Sequence, residues 1–216
     1  MKIALLHTGQ VHVDTFQALF DGEAAGVMLE HHVAPELLAR AQASGLDAVR
    51  GDTLGILTDL AGADAVLCTC STLGPLTDIA AGTHPHIVRI DQPLMQAACT
   101  HGPAALVAIC LDSTREATLA LLGNTANGLG VDIAPEVILC NKAWPLFETG
   151  QIAEFGSAVA AMIHARVAQG GIDCVVLAQA SMRAAEPDLA NLGLPVLSSP
   201  LLAVRRTLQV ATVRGS

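Results

Sequence analysis

The sequence predicts an α/β protein made of two similar parallel-sheet lobes related by pseudo-two-fold symmetry. Three observations carry this. Short apolar runs alternate with helical patterns along the whole chain, an order that requires parallel strands joined by crossover helices. The stretch Asp64-Ala-Val-Leu-Cys-Thr-Cys70-Ser71-Thr72 falls without a gap on Asp173-Cys-Val-Val-Leu-Ala-Gln179-Ala180-Ser181. The segments downstream of the two stretches match as well. Ile87-Val-Arg-Ile-Asp91-Gln92-Pro93 lies on Leu194-Pro-Val-Leu-Ser198-Ser199-Pro200, in both cases a strand that ends in polar residues ahead of a proline suited to a first helical turn.

Taken in order, Lys2 to Leu6 reads as a buried strand, followed by the turn His7-Thr8-Gly9 and a helix near Asp14 to Asp21 anchored by Phe16, Leu19 and Phe20. Val27 to His32 is a second strand. Pro35 begins a helix to about Ala43, and Leu46 to Ala61 reads as another, with Leu46, Val49, Leu54, Leu57 and Leu60 on one side. The strand ending at Cys70 comes next, and after Pro93 a short helix runs to about His101. Gly102-Pro103 is the strongest punctuation in the chain, so the crossing between lobes is placed there: 1–101 with 198–216 form lobe 1, and 102–197 form lobe 2. Ala105 to Leu111 is a buried strand leading into a helix capped by Asp112, Ser113 and Thr114. Asp132 to Leu139, Asp173 to Ala178 and Pro195 to Leu197 are strands; Phe155 to Ala168 and Pro200 to Val210 are helices.

With 216 residues, 52% of them hydrophobic and 14% charged, the chain can bury a full core, and no apolar run approaches a membrane span. The opening Met-Lys-Ile-Ala-Leu-Leu-His7 is too short in its apolar part for a signal peptide, which points to the cytoplasm. A net charge of −9, with no basic cluster beyond Arg205-Arg206, argues against a nucleic-acid partner. Six cysteines scattered through apolar runs read as free thiols, most of them core fillers.

In open α/β sheets, ligands sit beyond the carboxyl ends of the strands, where His7, Cys70, Asp91, Thr114, Gln179 and Ser198 all fall. The backbone N–H groups after Cys70 form a cradle for a carboxylate, and the same helix start is expected to lower the thiol pKa and make Cys70 a proton acceptor or nucleophile. Cys68, two residues earlier and one layer deeper, reads as core.

On Cys70-Ser71-Thr72, the internal symmetry and Asp91-Gln92-Pro93, the chain resembles the aspartate/glutamate racemase superfamily, which includes hydantoin racemases, arylmalonate decarboxylases and maleate isomerases. The resemblance implies two similar lobes with substrate between them, no cofactor, and a pair of cysteines flanking the α-carbon, one removing the proton and the other returning it. This sequence departs at the second cysteine, where Gln179 stands. Cys174 cannot replace it, lying five residues earlier and roughly 16 Å away at strand rise. A one-thiol site results, with Ser71 and Thr72 cradling a carboxylate on one side and Gln179, Ala180 and Ser181 on the other.

His7 faces the cleft by topology, as a second acid/base or as a satisfied core histidine. Asp91 is read as a substrate contact or as a helix cap, and Thr8 and Thr114 as carboxylate contacts or helix starters. No metal is expected, since His31-His32 and His84-Pro-His86 lack further ligands at a recognisable spacing. No Gly-x-Gly-x-x-Gly or Gly-Lys-Ser/Thr motif is present, and Lys2 and Lys142 lie outside any pyridoxal-phosphate pattern, so no cofactor is expected. The expectation is a cofactor-independent isomerase-like enzyme that uses Cys70 for proton transfer at the α-carbon of a small carboxylate or amino acid. The alternatives are a single-cysteine decarboxylase and a non-catalytic carboxylate-binding protein; self-association is left open.

Overall fold

A computed structural model describes residues 1–214 and divides them into two compact units, one of residues 1–91 with 200–214, the other of residues 92–199. The first contains β1 (Lys2–His7), α1 (Val11–Glu23), β2 (Met28–Val33), α2 (Pro35–Ser44), α3 (Arg50–Leu60), β3 (Ala65–Cys68), α4 (Gly74–Thr83) and β4 (Ile87–Arg89). Its four strands are parallel in the order β2-β1-β3-β4. The second contains α5 (Gln92–Ala98), β5 (Ala105–Ile109), α6 (Arg115–Leu129), β6 (Glu136–Leu139), α7 (Trp144–Glu148), α8 (Ile152–Val167), β7 (Cys174–Leu177), α9 (Glu186–Leu189) and β8 (Val196–Ser198). Its sheet, also parallel, runs β6-β5-β7-β8. All but the first residue of α10 (Ser199–Arg214) belong to the first unit. No helix among the described residues is long and apolar enough to cross a membrane.

The internal repeat extends to individual hydrogen bonds. Lys2 N–H donates to Asp64 Oδ2 at 2.7 Å, and Ala104 N–H donates to Asp173 Oδ2 at 2.9 Å. Each repeat thus opens on an aspartate whose carboxylate satisfies the first amide of the neighbouring strand, a group the ladder leaves unpaired. Further along, Thr69 N–H reaches Leu6 O at 2.9 Å and Ala178 N–H reaches Ala108 O at 3.0 Å. Gly102 serves the same feature: at φ +114° it takes a conformation closed to side-chain-bearing residues, and a Cβ there would lie 2.7 Å from Asp173 Oδ2.

Side-chain alternation sorts each sheet into two faces. In the first unit, Ala4, Leu6, Val66, Cys68 and Ile87 pack with Leu37, Ala41, Leu57 and Leu76 of α2, α3 and α4. That parity turns Ile3, Leu5 and His7 to the opposite face, where the His7 ring meets Phe16 of α1. In the second unit, Leu106, Ala108, Val175 and Leu177 pack with Phe155, Val159 and Ile163 of α8.

Several boundaries differ from the sequence expectation. The units divide at Asp91/Gln92 and Ser199/Pro200, not at His101/Gly102 and Leu197/Ser198, so α5 belongs to the second unit. Leu46 to Ala61 is a 3₁₀ turn (Leu46–Val49) followed by α3, because buried Val49 leaves helical dihedrals (φ −119°, ψ 2°). The strand expected from Asp132 begins only at Glu136, since Pro135 has no N–H to give a ladder. The last helix continues past Val210 to Arg214.

Candidate active site

Cys70 leaves the end of β3 in an extended conformation (φ −109°, ψ 112°) and starts the 3₁₀ turn Ser71–Leu73 that feeds α4. The hydroxyls of Thr8 and Thr72 and the backbone N–H groups of Thr72 and Leu73 lie around its thiol and favour the thiolate. The thiol is nevertheless 8% exposed, and burial pushes its pKa up despite these donors. This corrects the expectation of a lowered pKa, because desolvation of a charged sulfur outweighs a short helix start. Ser71 is half-buried beside it. Cys68 is fully buried, its thiol pushed up to about 12.

Asp91 is not an open substrate contact. Both its carboxylate oxygens accept from the Arg89 guanidinium, at 2.6 and 2.8 Å, in a fork-to-fork pair that also engages Asp78. Gly74 leaves room for this arginine; a Cβ there would lie 2.2 Å from Arg89 Nη2.

Of the two readings of His7, a second acid/base or a satisfied core histidine, its surroundings match the second. It has no exposed surface, and both ring nitrogens are engaged, Nδ1 with Thr69 Oγ1 at 2.9 Å and Nε2 with His31 Nδ1 at 2.8 Å. His31 Nε2 continues to Gln17 Oε1 at 3.3 Å, and Gln17 Nε2 donates to Asp21 at 2.9 Å. Gln17 donates to Asp21 through Nε2, so its Oε1 accepts from His31. At the other end the Thr69 hydroxyl oxygen lies between His7 Nδ1 and Leu6 O, to which it donates at 3.1 Å. Burial, reinforced by His31 and His12, pushes the His7 pKa down to about 3 and keeps the ring neutral.

In the second unit, Gln179 occupies the position matching Cys70, also extended (φ −120°, ψ 141°) and also leading into a 3₁₀ turn, here Ala180–Ala185. Its Oε1 accepts from the backbone N–H groups of Cys110 and, at 3.1 Å, Leu111. Two amide donors on one atom fix the side chain's orientation and turn Nε2 into its donor end. By strand register Cys110 matches Thr8, so the same two chain positions meet in both units. Ser181, matching Thr72, is 8% exposed, and its Oγ has no partner among the described residues. Ala180 is half-buried. Gly156 of α8 packs against this turn so closely that a Cβ would lie 2.2 Å from Ala184 O. Thr114 follows its helix-starting reading, its hydroxyl donating to Leu111 O at 2.7 Å. Ser198 donates to Glu186.

Three participants escaped the sequence reading: Thr69, Arg89 and His12. His12 is half-buried in the first turn of α1, with its pKa pushed down to about 4 by burial. Arg89 had a readable signal, an arginine in an apolar strand with an aspartate two residues on, at the spacing that shares a strand face. Among the described residues, no cluster of three or more His, Cys, Asp or Glu side chains could hold a metal ion.

Residues 10–207 match the family described as Asp/Glu/Hydantoin racemase. No curated protein matches the chain. Among solved structures, it is similar to glutamate racemase from Thermus thermophilus in complex with β-chloro-D-alanine, at 16% identity and a TM-score of 0.75, over 99% of this chain and 81% of that one. It is also similar to an aspartate racemase homologue from Pyrococcus horikoshii OT3 (14% identity, TM-score 0.70, 98% and 99% covered). Allantoin racemase from Pseudomonas fluorescens gives 15% identity and a TM-score of 0.64, with 99% and 92% covered. At these identities the likeness is one of fold.

Proposed function

Because the chain belongs to the Asp/Glu/hydantoin racemase family, we propose that it is an isomerase-like enzyme moving a proton at the α-carbon of a small carboxylate without a cofactor. Cys70 is the acid/base. The observation that carries this reading is the place of Cys70, extended at a strand end ahead of the Ser71–Leu73 turn, with the hydroxyls and N–H groups of that turn and of Thr8 around its thiol. Such donors favour a thiolate once it forms, and burial keeps the resting group a thiol, so its proton is available to give as well as to take.

In the proposed step Cys70 first loses its proton to solvent, and the thiolate then removes the α-proton. The electron pair left on carbon delocalises into the carboxylate as an enediolate, and the new S–H returns its proton to the same carbon. Preorganised donors are worth most where that oxygen charge develops. Thr8, Ser71 and Thr72 are assigned to substrate on the first unit; Gln179 Nε2, the Ala180 backbone and Ser181 Oγ are the matching carboxylate donors of the second. The unpartnered, buried Ser181 hydroxyl supports this, since such a group costs free energy until something bonds to it. His7 and Asp91 are assigned supporting roles: His7 holds Thr69, next to Cys70, and Asp91 holds Arg89.

A second reading is favoured by the amide at position 179. Gln179 carries no exchangeable acid near neutral pH, so one thiol protonates one face. That chemistry also suits decarboxylation, in which CO₂ leaves an activated dicarboxylate and Cys70 S–H protonates the enediolate. The test is a panel of amino acids, hydantoin-derived carboxylates and arylmalonates in D₂O. α-Deuterium incorporation supports proton transfer, CO₂ release supports decarboxylation, and either must vanish in Cys70→Ala.

A further inference from the structure

A cavity of about 570 Å³ lies in the first unit, at the amino-terminal end of β4 and so at the opposite edge of the sheet from Cys70. One wall is the α4–β4 connection, with His84, Pro85 and His86; the other is α10, with Arg206, Gln209, Val210, Val213 and Arg214. The α10 residues are spaced by three and four, so they form one helical face. That face is distinct from the one bearing Arg205, whose guanidinium is paired with Glu23 at 2.8 and 3.0 Å.

The charge of this cavity runs against that of the protein. The chain carries −9 overall, yet no acidic residue lines the cavity. Neither Arg206 nor Arg214 makes an ion pair among the described residues. Eight residues apart on one helix, they stand about 12 Å apart along its axis. Opposite them, His86 is fixed by its 2.9 Å bond to Ala61 O, and the His84 ring meets it edge to face at 6.0 Å. Between the arginines, Val210, Val213 and Pro85 supply apolar surface, and Val213 is 79% exposed. Guanidinium forks match phosphate geometry, and the volume is that of a small-molecule site.

We propose that this cavity binds a small organic phosphate, its anionic head taken by one of the two arginines, Arg206 or Arg214, and its apolar body laid on Val210, Val213 and Pro85 between them. The site is separate from Cys70 and uses none of its residues.

Calorimetric titration with phenyl phosphate, inorganic phosphate and benzyl alcohol tests this on the intact protein, before and after alkylation of Cys70 with iodoacetamide. Phenyl phosphate is expected to bind equally well to both preparations, inorganic phosphate more weakly, and benzyl alcohol not at all. The double variant Arg206→Glu, Arg214→Glu, both exposed positions, should lose affinity for phenyl phosphate by about tenfold or more while keeping its melting temperature. Unchanged binding in that variant would overturn the proposal. So would loss of binding on Cys70 alkylation, equal binding of benzyl alcohol, or no binding of phenyl phosphate.

Discussion

The two strand ends at Cys70 and Gln179 share a backbone and differ in chemistry. Each follows the third-numbered strand of its unit in an extended conformation, starts a 3₁₀ turn and meets the residue just beyond the neighbouring strand. In the first unit that meeting is a Thr8 hydroxyl on a thiol; in the second it is a pair of backbone amides on a side-chain carbonyl. A thiol held by donors can change its protonation state. A carboxamide held by its oxygen can only present its N–H groups. A repeated scaffold therefore does not imply a repeated chemistry, and one side chain at one position separates a group that can titrate from a fixed donor.

The largest expected effect comes from removing the difference. Cys70→Ala should lower proton exchange on any accepted carboxylate by about 10²–10⁴-fold, while Cys68→Ala, one layer deeper, should leave it within a few fold. Gln179→Cys should place a second thiol at the matching position, and formation of the opposite enantiomer should appear only in that variant. Chiral chromatography of the products checks both.

Acid should separate the two units next. With an ordinary pKa of 6.5 unfolded and about 3 folded, His7 makes the unfolded chain bind more protons between those values. Stability is then complete above pH 6.5 and falls as pH drops towards 3, by on the order of 3 kcal/mol at pH 4. His12, pushed down to about 4, adds in the same direction. Amide hydrogen exchange at pH 4 to 5 should show β1, β2 and β3 losing protection before β5 and β7.

Smaller effects sharpen each end alone. Gly156→Ala forces a Cβ against Ala184 O and should destabilise the protein by about 2 kcal/mol, measured by urea unfolding, while leaving Cys70 labelling unchanged. Thr8→Val removes one donor from the Cys70 sulfur and should slow its alkylation at neutral pH by about tenfold. In the unaltered protein that alkylation should keep rising with pH beyond the range in which an exposed cysteine levels off.

Much of this was readable in the residues. Alternating strand and helix patterns place the eight strands, and the match of Asp64 to Asp173 reflects a hydrogen bond made twice. The place of Cys70 at a strand end is likewise legible. Side-chain direction and burial were harder. His7 ends a strand, but it is the parity shared with Ile3 and Leu5 that turns it towards Phe16. Asp91 looked available because its partner Arg89 lies in an apolar run. The direction of the Cys70 shift depends on how completely neighbouring elements cover the sulfur, which no local pattern encodes.

The most direct test of a single acid/base thiol is the stereochemical course of exchange. D- and L-enantiomers of each accepted amino acid would be incubated in D₂O and followed by proton NMR and chiral chromatography. The account predicts α-deuterium entering one enantiomer with retention, no opposite enantiomer, and no exchange in Cys70→Ala. Rapid appearance of the opposite enantiomer with the unaltered protein, or exchange that survives Cys70→Ala, would contradict it.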